Sequence, residues 1–173
     1  MMINKVAVKT DKVRLFPGSY NISSGNSYVN YGENSTLTIK SPSGYTSTMD
    51  LKPTLTKAGA SAIVKAVQTK LAACAETKDL TPSGCPNAIE PYSYQKVDKS
   101  SVEWTLDKDS VANLKPELDY RNPAIATVRV SPEYTFRATG TQFDRKTKFT
   151  QTLTSYSTIK TNVTQQPLKL TAS

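Results

Sequence analysis

The stretch that decides the fold is TKAGASAIVKAVQTKLAACAETKDLTPSGCP, residues 56–86. Its apolar side chains recur at spacings of four, four and three: Ile63, Val67, Leu71 and Cys74. These spacings place them on one face of an amphipathic helix. Thr56 suits the N-cap position, and Pro82 and Pro86 prevent the helix from continuing. We therefore predict one main helix that begins after Thr56.

The only two cysteines, Cys74 and Cys85, fall at the end of this helix and in the loop behind it. Such a pair in a Pro- and Gly-containing loop favours a disulfide, which would contribute about 3 kcal/mol. The alternative is two unrelated buried thiols. Two thiols without histidine do not complete a metal site. We predict a disulfide, an oxidising extracytoplasmic setting, and neither metal nor cofactor.

Short strand patterns precede the helix. Residues 5–9 (KVAVK) and 12–15 (KVRL) alternate valine or leucine with lysine, arginine or alanine, and residues 37–39 (LTI) are predicted as a further strand. Residues 23–34 are rich in Ser, Asn and Gly and favour a loop. We therefore expect a small β-rich unit over residues 1–52, followed by a second unit over residues 53–173.

The segment after the helix predicts about four antiparallel strands. Residues 102–106 place the only Trp on the apolar side, and residues 126–138 alternate cleanly. Pro132 implies an edge position or a bulge there. A long Thr-rich strand over residues 149–163 follows, with a short last strand at residues 168–170.

This order predicts an α+β fold, in which one main helix packs on a curved antiparallel sheet behind the small β-rich unit. Cystatin-like and NTF2-like folds have this shape, by analogy only. The alternative is a β-sandwich.

The formal net charge is +8, and the lysines are spread over many segments. Scattered lysines are typical of a solvated surface, whereas a clustered basic stripe would indicate nucleic acid. We therefore expect no nucleic-acid partner. The partners that remain are an unknown protein or an anionic envelope polymer, and a membrane only through an anchor outside this sequence.

Several kinds of catalytic site are absent. Without histidine, Ser-His-Asp and Cys-His catalysis are excluded. The seven glycines form no phosphate-binding loop. Two catalytic alternatives stay open: paired carboxylates, at residues 107 and 109 or 117 and 119, which lie in solvated loop composition, and Ser-Lys catalysis. The nine tyrosines are the other candidates, because Tyr supplies rigid contact area to partners. We predict binding residues among those in loops: Tyr28, Tyr31, Tyr92 and Tyr94.

Two motifs carry a resemblance. FPGSY at residues 16–20 is similar to a Phe/Leu-Pro-Gly-x-Tyr turn, and LAACA at 71–75 with PSGCP at 82–86 is similar to a helix-end Cys with a Pro-x-Gly-Cys-Pro loop. Together, over roughly residues 13–106, they resemble a group of uncharacterised extracytoplasmic domains of Gram-positive actinobacteria, commonly anchored by an N-terminal membrane helix. The resemblance implies a cell-surface location and a Cys74–Cys85 disulfide, and it brings no activity. We expect the anchor to have been removed from this chain.

We predict a non-catalytic extracytoplasmic domain, not an enzyme, that makes interactions at the cell envelope. The alternative is a small-molecule-binding or enzymatic domain with a pocket between helix and sheet. Side chains of Trp104, Phe136 and Val67 filling that space would argue against the alternative.

Overall fold

The computed structural model describes residues 1–9, 12–32, 35–40 and 51–172. The described part of the chain is mostly β, with 39% of its residues in strands and 16% in helices. Before the helix, the strands are β1 Met2–Ile3, β2 Val6–Ala7, β3 Gly18–Ser23, β4 Val29–Asn30, β5 Thr36–Ile39 and β6 Thr54–Leu55. The helix α1 spans Lys57–Ala75. After it come β7 Gln95–Val97, β8 Glu103–Leu106, β9 Pro116–Leu118, β10 Ile125–Val130, β11 Glu133–Gln142, β12 Arg145–Thr154, β13 Ser157–Asn162 and β14 Leu170–Ala172.

The helix agrees with its sequence pattern. Thr56 is the N-cap, and its hydroxyl accepts a hydrogen bond from the backbone N–H of Gly59 at 2.9 Å. The predicted apolar face is buried, from Ile63 to Cys74. The predicted disulfide between Cys74 and Cys85 is present. The chain therefore leaves the helix in a direction that the disulfide fixes.

The predicted curved sheet is wrong. The described strands form four separate small sheets, in the orders β2-β1-β3-β5, β14-β13-β10-β9, β12-β11-β7 with β8 also on β11, and β4-β6. Pro132 has no N–H to donate, and the ladder stops there between β10 and β11. The analogy with cystatin-like and NTF2-like folds therefore fails, and a β-sandwich of two facing sheets does not describe four small sheets either.

Each long predicted strand is in fact two strands. Residues 126–138 divide into β10 and β11 at Ser131–Pro132, and residues 149–163 divide into β12 and β13 at Ser155–Tyr156. The register is the same on both sides of this break, because Ile125 pairs with Asn162 and Gln142 pairs with Arg145. One hydrogen bond, from Ser155 N to Pro132 O at 3.2 Å, lies at the break. We call the four strands together the ribbon.

The segment before the helix differs from the expectation in more than one place, because the predicted loop at residues 23–34 contains β4, Val29–Asn30. Residues 13–15, predicted as a strand, contain none, whereas residues 37–39 lie in β5 as predicted. Several hydrogen bonds join residues on either side of the predicted boundary at residue 52, and two of them illustrate this. Thr56 N donates to Tyr28 O at 3.0 Å, and Asn26 Nδ2 donates to Val163 O at 2.8 Å. The division into two units itself stays a prediction.

Two hydrophobic clusters form the core. The first joins the N-terminal two-thirds of the helix face to β10 and β13, and its buried members are Val29, Ile63, Val67, Leu71, Val111, Ala126, Val128, Val130, Ile159 and Val163. The second joins the helix end to β8 and β11, and its members are Cys74, Val102, Trp104, Tyr134, Phe136 and Ala138. Each fully buried aliphatic side chain stabilises the fold by about 1.5–3 kcal/mol. Val67, Trp104 and Phe136 are all buried in these clusters.

The buried phenol of Tyr134 ties the second cluster to the helix. Its hydroxyl donates to the carbonyl oxygen of Leu71 at 2.9 Å, and its ring meets Trp104 edge-on. Desolvation raises the pKa of Tyr134 to about 12. The neutral phenol is therefore the form that the folded state favours.

We expect the free energy of unfolding to fall as the pH rises from about 10, the pKa of an unfolded tyrosine, towards 12. The stabilisation is complete below pH 10 and is lost as the pH passes the folded-state pKa, because the unfolded chain releases this proton first. Replacing Tyr134 by Phe should cost about 1 kcal/mol at neutral pH and flatten this decline. Urea unfolding at several pH values would measure both effects. An equally steep decline in Tyr134→Phe would contradict the assignment to this residue.

Candidate functional site

Three aromatic rings stack on one another at the tip of the β11–β12 hairpin. The Tyr92 and Tyr94 centroids are 5.4 Å apart with their planes at 6°, and those of Tyr94 and Phe143 are 4.6 Å apart at 5°. The side chains stay exposed, by 67% at Tyr92, 41% at Tyr94 and 67% at Phe143. The middle ring is the least exposed because a ring covers each of its faces. We call these three residues the aromatic row.

Backbone hydrogen bonds hold the aromatic row in place. Phe143 N donates to Tyr94 O at 3.1 Å, which extends the pairing of β11 with β7. Gln95 N donates to Tyr92 O at 2.8 Å, and the Gln95 side chain accepts from Tyr92 N at 3.1 Å. The row therefore belongs to an ordered turn that is attached to the sheet.

Phe143 occupies an unusual backbone position. Phe143 and Asp144 form the two-residue hairpin turn with φ of 50° and 60°. Two consecutive left-handed residues are typical of Asn-Gly, and a bulky side chain in this region is uncommon. A ring at this position costs backbone energy and stays in contact with water, which is the pattern that strained functional residues show.

Gly140 allows β7 to approach β11. A Cβ atom at this position would lie 2.1 Å from the carbonyl oxygen of Lys96 and 3.0 Å from Cε2 of Phe149. Only glycine leaves room for this contact. The position of β7, which directly follows Tyr94, therefore depends on a glycine at residue 140.

A small cleft opens beside Tyr92. Its volume is about 180 Å³, with Phe136 and Phe149 on the apolar side. Glu90, Gln95 and Gln151 supply polar groups to its lining. Because Tyr92 belongs to both the cleft and the row, the two features form one continuous site with an aromatic ridge and a polar groove.

Tyr28 and Tyr31 lie elsewhere. Tyr28 is half-buried against the first cluster, and its backbone crosses the first turn of the helix. A Cβ atom on Gly59 would come within 2.5 Å of the Tyr28 carbonyl oxygen. Tyr31 is half-buried and lines two clefts beside the N-terminal loop. The structure therefore brings Tyr92 and Tyr94 together, whereas Tyr28 and Tyr31 lie outside this group.

The sequence prediction missed Phe143. The sequence predicts a polar turn at Asp144-Arg145-Lys146, and Phe143 directly precedes it. An aromatic residue beside a charged turn is the signal that could have found it. Its stacking partner Tyr94 lies about fifty residues earlier, so pairing the two required the register of β7 on β11.

The remaining chemistry is limited. Within residues 1–9, 12–32, 35–40 and 51–172, no group of three or more His, Cys, Asp or Glu side chains is placed to hold a metal ion. In the same ranges, no helix is both long enough and apolar enough to cross a membrane. The disulfide is compatible with the predicted extracytoplasmic location.

No protein family, curated protein or solved structure matches this chain. The resemblance to actinobacterial extracytoplasmic domains therefore stays a hypothesis, and the disulfide does not bear on it. The candidate site stands on the geometry of the aromatic row and of the residues around it.

Proposed function

We propose that this chain is a non-catalytic extracytoplasmic domain that binds a component of the cell envelope through the aromatic row. The stacked, exposed rings of Tyr92, Tyr94 and Phe143 are the observation that carries the proposal. Aromatic rings are enriched in binding surfaces because they offer a large rigid area at little cost in conformational entropy. The disulfide supports the location.

The surface is favoured over the core as the binding region. The side chains of Val67, Trp104 and Phe136 occupy the space beside the helix. The cleft of about 180 Å³ beside Tyr92 opens instead next to the aromatic row. It is smaller than the cavities of about 300–1,000 Å³ that enclose small-molecule ligands, and it suits one protruding group of a larger partner.

Cosedimentation with isolated cell envelopes of the producing organism tests this proposal. We expect the double variant Tyr92→Ser, Phe143→Asn to reduce the retained fraction about tenfold, since each contact with an aromatic ring contributes about 0.5–1.5 kcal/mol. Asparagine at position 143 tolerates the left-handed backbone, so the turn is preserved.

The matched control replaces two exposed tyrosines outside the row, Tyr120→Ser and Tyr156→Ser. These changes remove the same kind of side chain and should leave the retention unchanged. Equal losses in both double variants, or retention of the row variant at the level of the unaltered protein, would overturn the proposal. Circular dichroism would verify that each variant is folded.

A further inference from the structure

A net positive charge surrounds the aromatic row. Residues 92–97 and 137–150 hold one carboxylate, that of Asp144, and five cations: Lys96, Arg137, Arg145, Lys146 and Lys148. These 20 residues carry +4, and the flanking Glu90, Asp98 and Lys99 reduce the sum to +3 of the chain's +8 over residues 90–99 and 137–150. The lysines look scattered along the sequence, but the pairing of β7, β11 and β12 brings them together.

Three of these lysines share the outer face of the sheet. Thr141 on β11 pairs with Lys96 on β7 and with Lys146 on β12, so the two lysines flank it at a separation of about 10 Å. Lys148 pairs with Thr139. It follows Lys146 by two residues on β12, so the two lysines lie on the same face about 7 Å apart along the strand. We call Lys96, Lys146 and Lys148 the basic face.

The basic face adjoins a shallow depression that can accept anionic groups. Lys146 and Lys148 line it, together with the hydroxyl-bearing residues Thr139, Thr141 and Thr147 and with Asp98. The Asp98 carboxylate already accepts hydrogen bonds from Ser100 N at 3.0 Å and Ser100 Oγ at 2.7 Å. These bonds hold the carboxylate on its own loop, and among the described residues no ion pair joins it to Lys146 or Lys148.

Little of this positive charge is neutralised. In the described ranges the one carboxylate paired with the basic face is Asp144, whose Oδ1 lies 3.9 Å from Lys96 Nζ. Both side chains are largely exposed, by 80% and 94%, so the pair is weak. An anionic partner could replace Asp144 at little cost.

The row and the basic face are neighbours. Tyr94 lies two residues before Lys96, and Phe143 lies two residues after Thr141, which corresponds to about 7 Å along a strand. The outer faces of Tyr92 and Phe143 are free of stacking partners within the row. A ligand with flat apolar rings and regularly spaced negative charges would satisfy both features at once.

We infer that the partner of this site is an acidic polysaccharide. The C–H face of a sugar ring packs against Phe143 or Tyr92, while carboxylates on neighbouring sugars pair with the basic face. This inference rests on the proposed function and names the chemistry of its partner. A neutral polysaccharide would have no group to pair with the basic face, and a polyanion without sugar rings would have no face to pack against the aromatic row.

Single-stranded nucleic acid also combines rings with negative charge. Successive bases need open ring faces, however, and both faces of Tyr94 are covered by its neighbours in the row. The charge also lies on one side of a sheet, beside the row, and does not track a groove between the rings. Single-stranded nucleic acid is therefore an outcome of the test and not the proposed partner.

Calorimetric titration with oligogalacturonate, a chain of carboxylated sugars, tests the inference. The triple variant Lys96→Gln, Lys146→Gln, Lys148→Gln should weaken binding about tenfold, since it removes three exposed ion pairs with the ligand, each of which contributes modestly. Phe143→Asn should weaken it by a similar factor. Raising the salt from 0.1 M to 1 M, which shortens the Debye length from about 10 Å to about 3 Å, should also weaken it.

The matched control is Lys65→Gln, Lys108→Gln, Lys115→Gln, which removes three exposed charges far from the row along the chain and should bind as the unaltered protein does. Equal weakening in this control would overturn the inference, because net charge alone would then explain binding. Equal binding of a neutral galactan, of polyglutamate or of a single-stranded oligonucleotide would also overturn it.

The failures of the two proposals are distinguishable. If oligogalacturonate does not bind but envelope retention still depends on Tyr92 and Phe143, the acidic polysaccharide is wrong and the proposed function stands. If envelope retention does not depend on these rings, the proposed function fails, and the inference fails with it.

Discussion

The double variant Cys74→Ala, Cys85→Ala should unfold with a free energy about 3 kcal/mol lower than that of the unaltered protein. The disulfide closes a loop of 11 residues, and the loss of chain entropy in the unfolded state predicts this magnitude. Cys74 also belongs to the second cluster, and its carbonyl oxygen accepts a hydrogen bond from Asn87 Nδ2 at 3.0 Å. Without the covalent link, the loop after the helix loses its attachment to this cluster.

Urea unfolding with and without a reducing agent would measure this effect. Reduction should lower the stability of the unaltered protein to nearly that of the variant, and it should not change the variant. A variant as stable as the unaltered, oxidised protein would contradict the role assigned to this bond. Stability that is insensitive to reduction in the unaltered protein would do the same.

Gly140→Ala should lower the free energy of unfolding by about 3 kcal/mol or more. The added Cβ would lie 2.1 Å from the Lys96 carbonyl oxygen, which is backbone and cannot turn away as a side chain can. Inserting atoms into such a contact typically costs about 1–3 kcal/mol, and occasionally more. We expect β7 to separate from β11, and the aromatic row to lose Tyr92 and Tyr94 with it.

Thr135→Ala, on the same strand, is the control, because Thr135 is only partly buried, alanine is smaller, and this residue pairs with β8 and β12 and not with β7. Urea unfolding gives the stability difference, and hydrogen exchange of the β7 amides reports the local separation. Gly140→Ala should exchange these amides faster and bind cell envelopes less well. Equal stability and equal exchange in the two variants would show that the contact is not required.

The helix could be predicted because its information is local. Thr56 begins it, and the face from Ile63 to Cys74 is buried as its spacing indicates. The arrangement of the sheets could not be predicted, because it depends on which distant strands pair. The alternation over residues 126–138 correctly predicted which side chains are buried, among them Val128 and Phe136. It contains no information about which strands each half pairs with, and the two halves belong to different sheets.

The candidate site divides in the same way. Tyr92 and Tyr94 were predicted because aromatic residues in a loop are visible in the sequence. Phe143 and the basic face were not, because their proximity to these tyrosines is a property of the register between β7 and β11. Tyr28 fits the same compositional pattern but packs against the helix instead.

The ribbon also limits how the length of this chain can change during evolution. Its register is unbroken from the Ile125–Asn162 pair to the Gln142–Arg145 pair. A single residue gained in one arm would turn every side chain beyond it to the opposite face, in two sheets at once. Without a β-bulge to absorb the extra residue, descendants of this sequence can therefore lengthen the ribbon only by compensated gains in both arms, or at the turn formed by Phe143 and Asp144, where variation would act directly on the proposed binding surface.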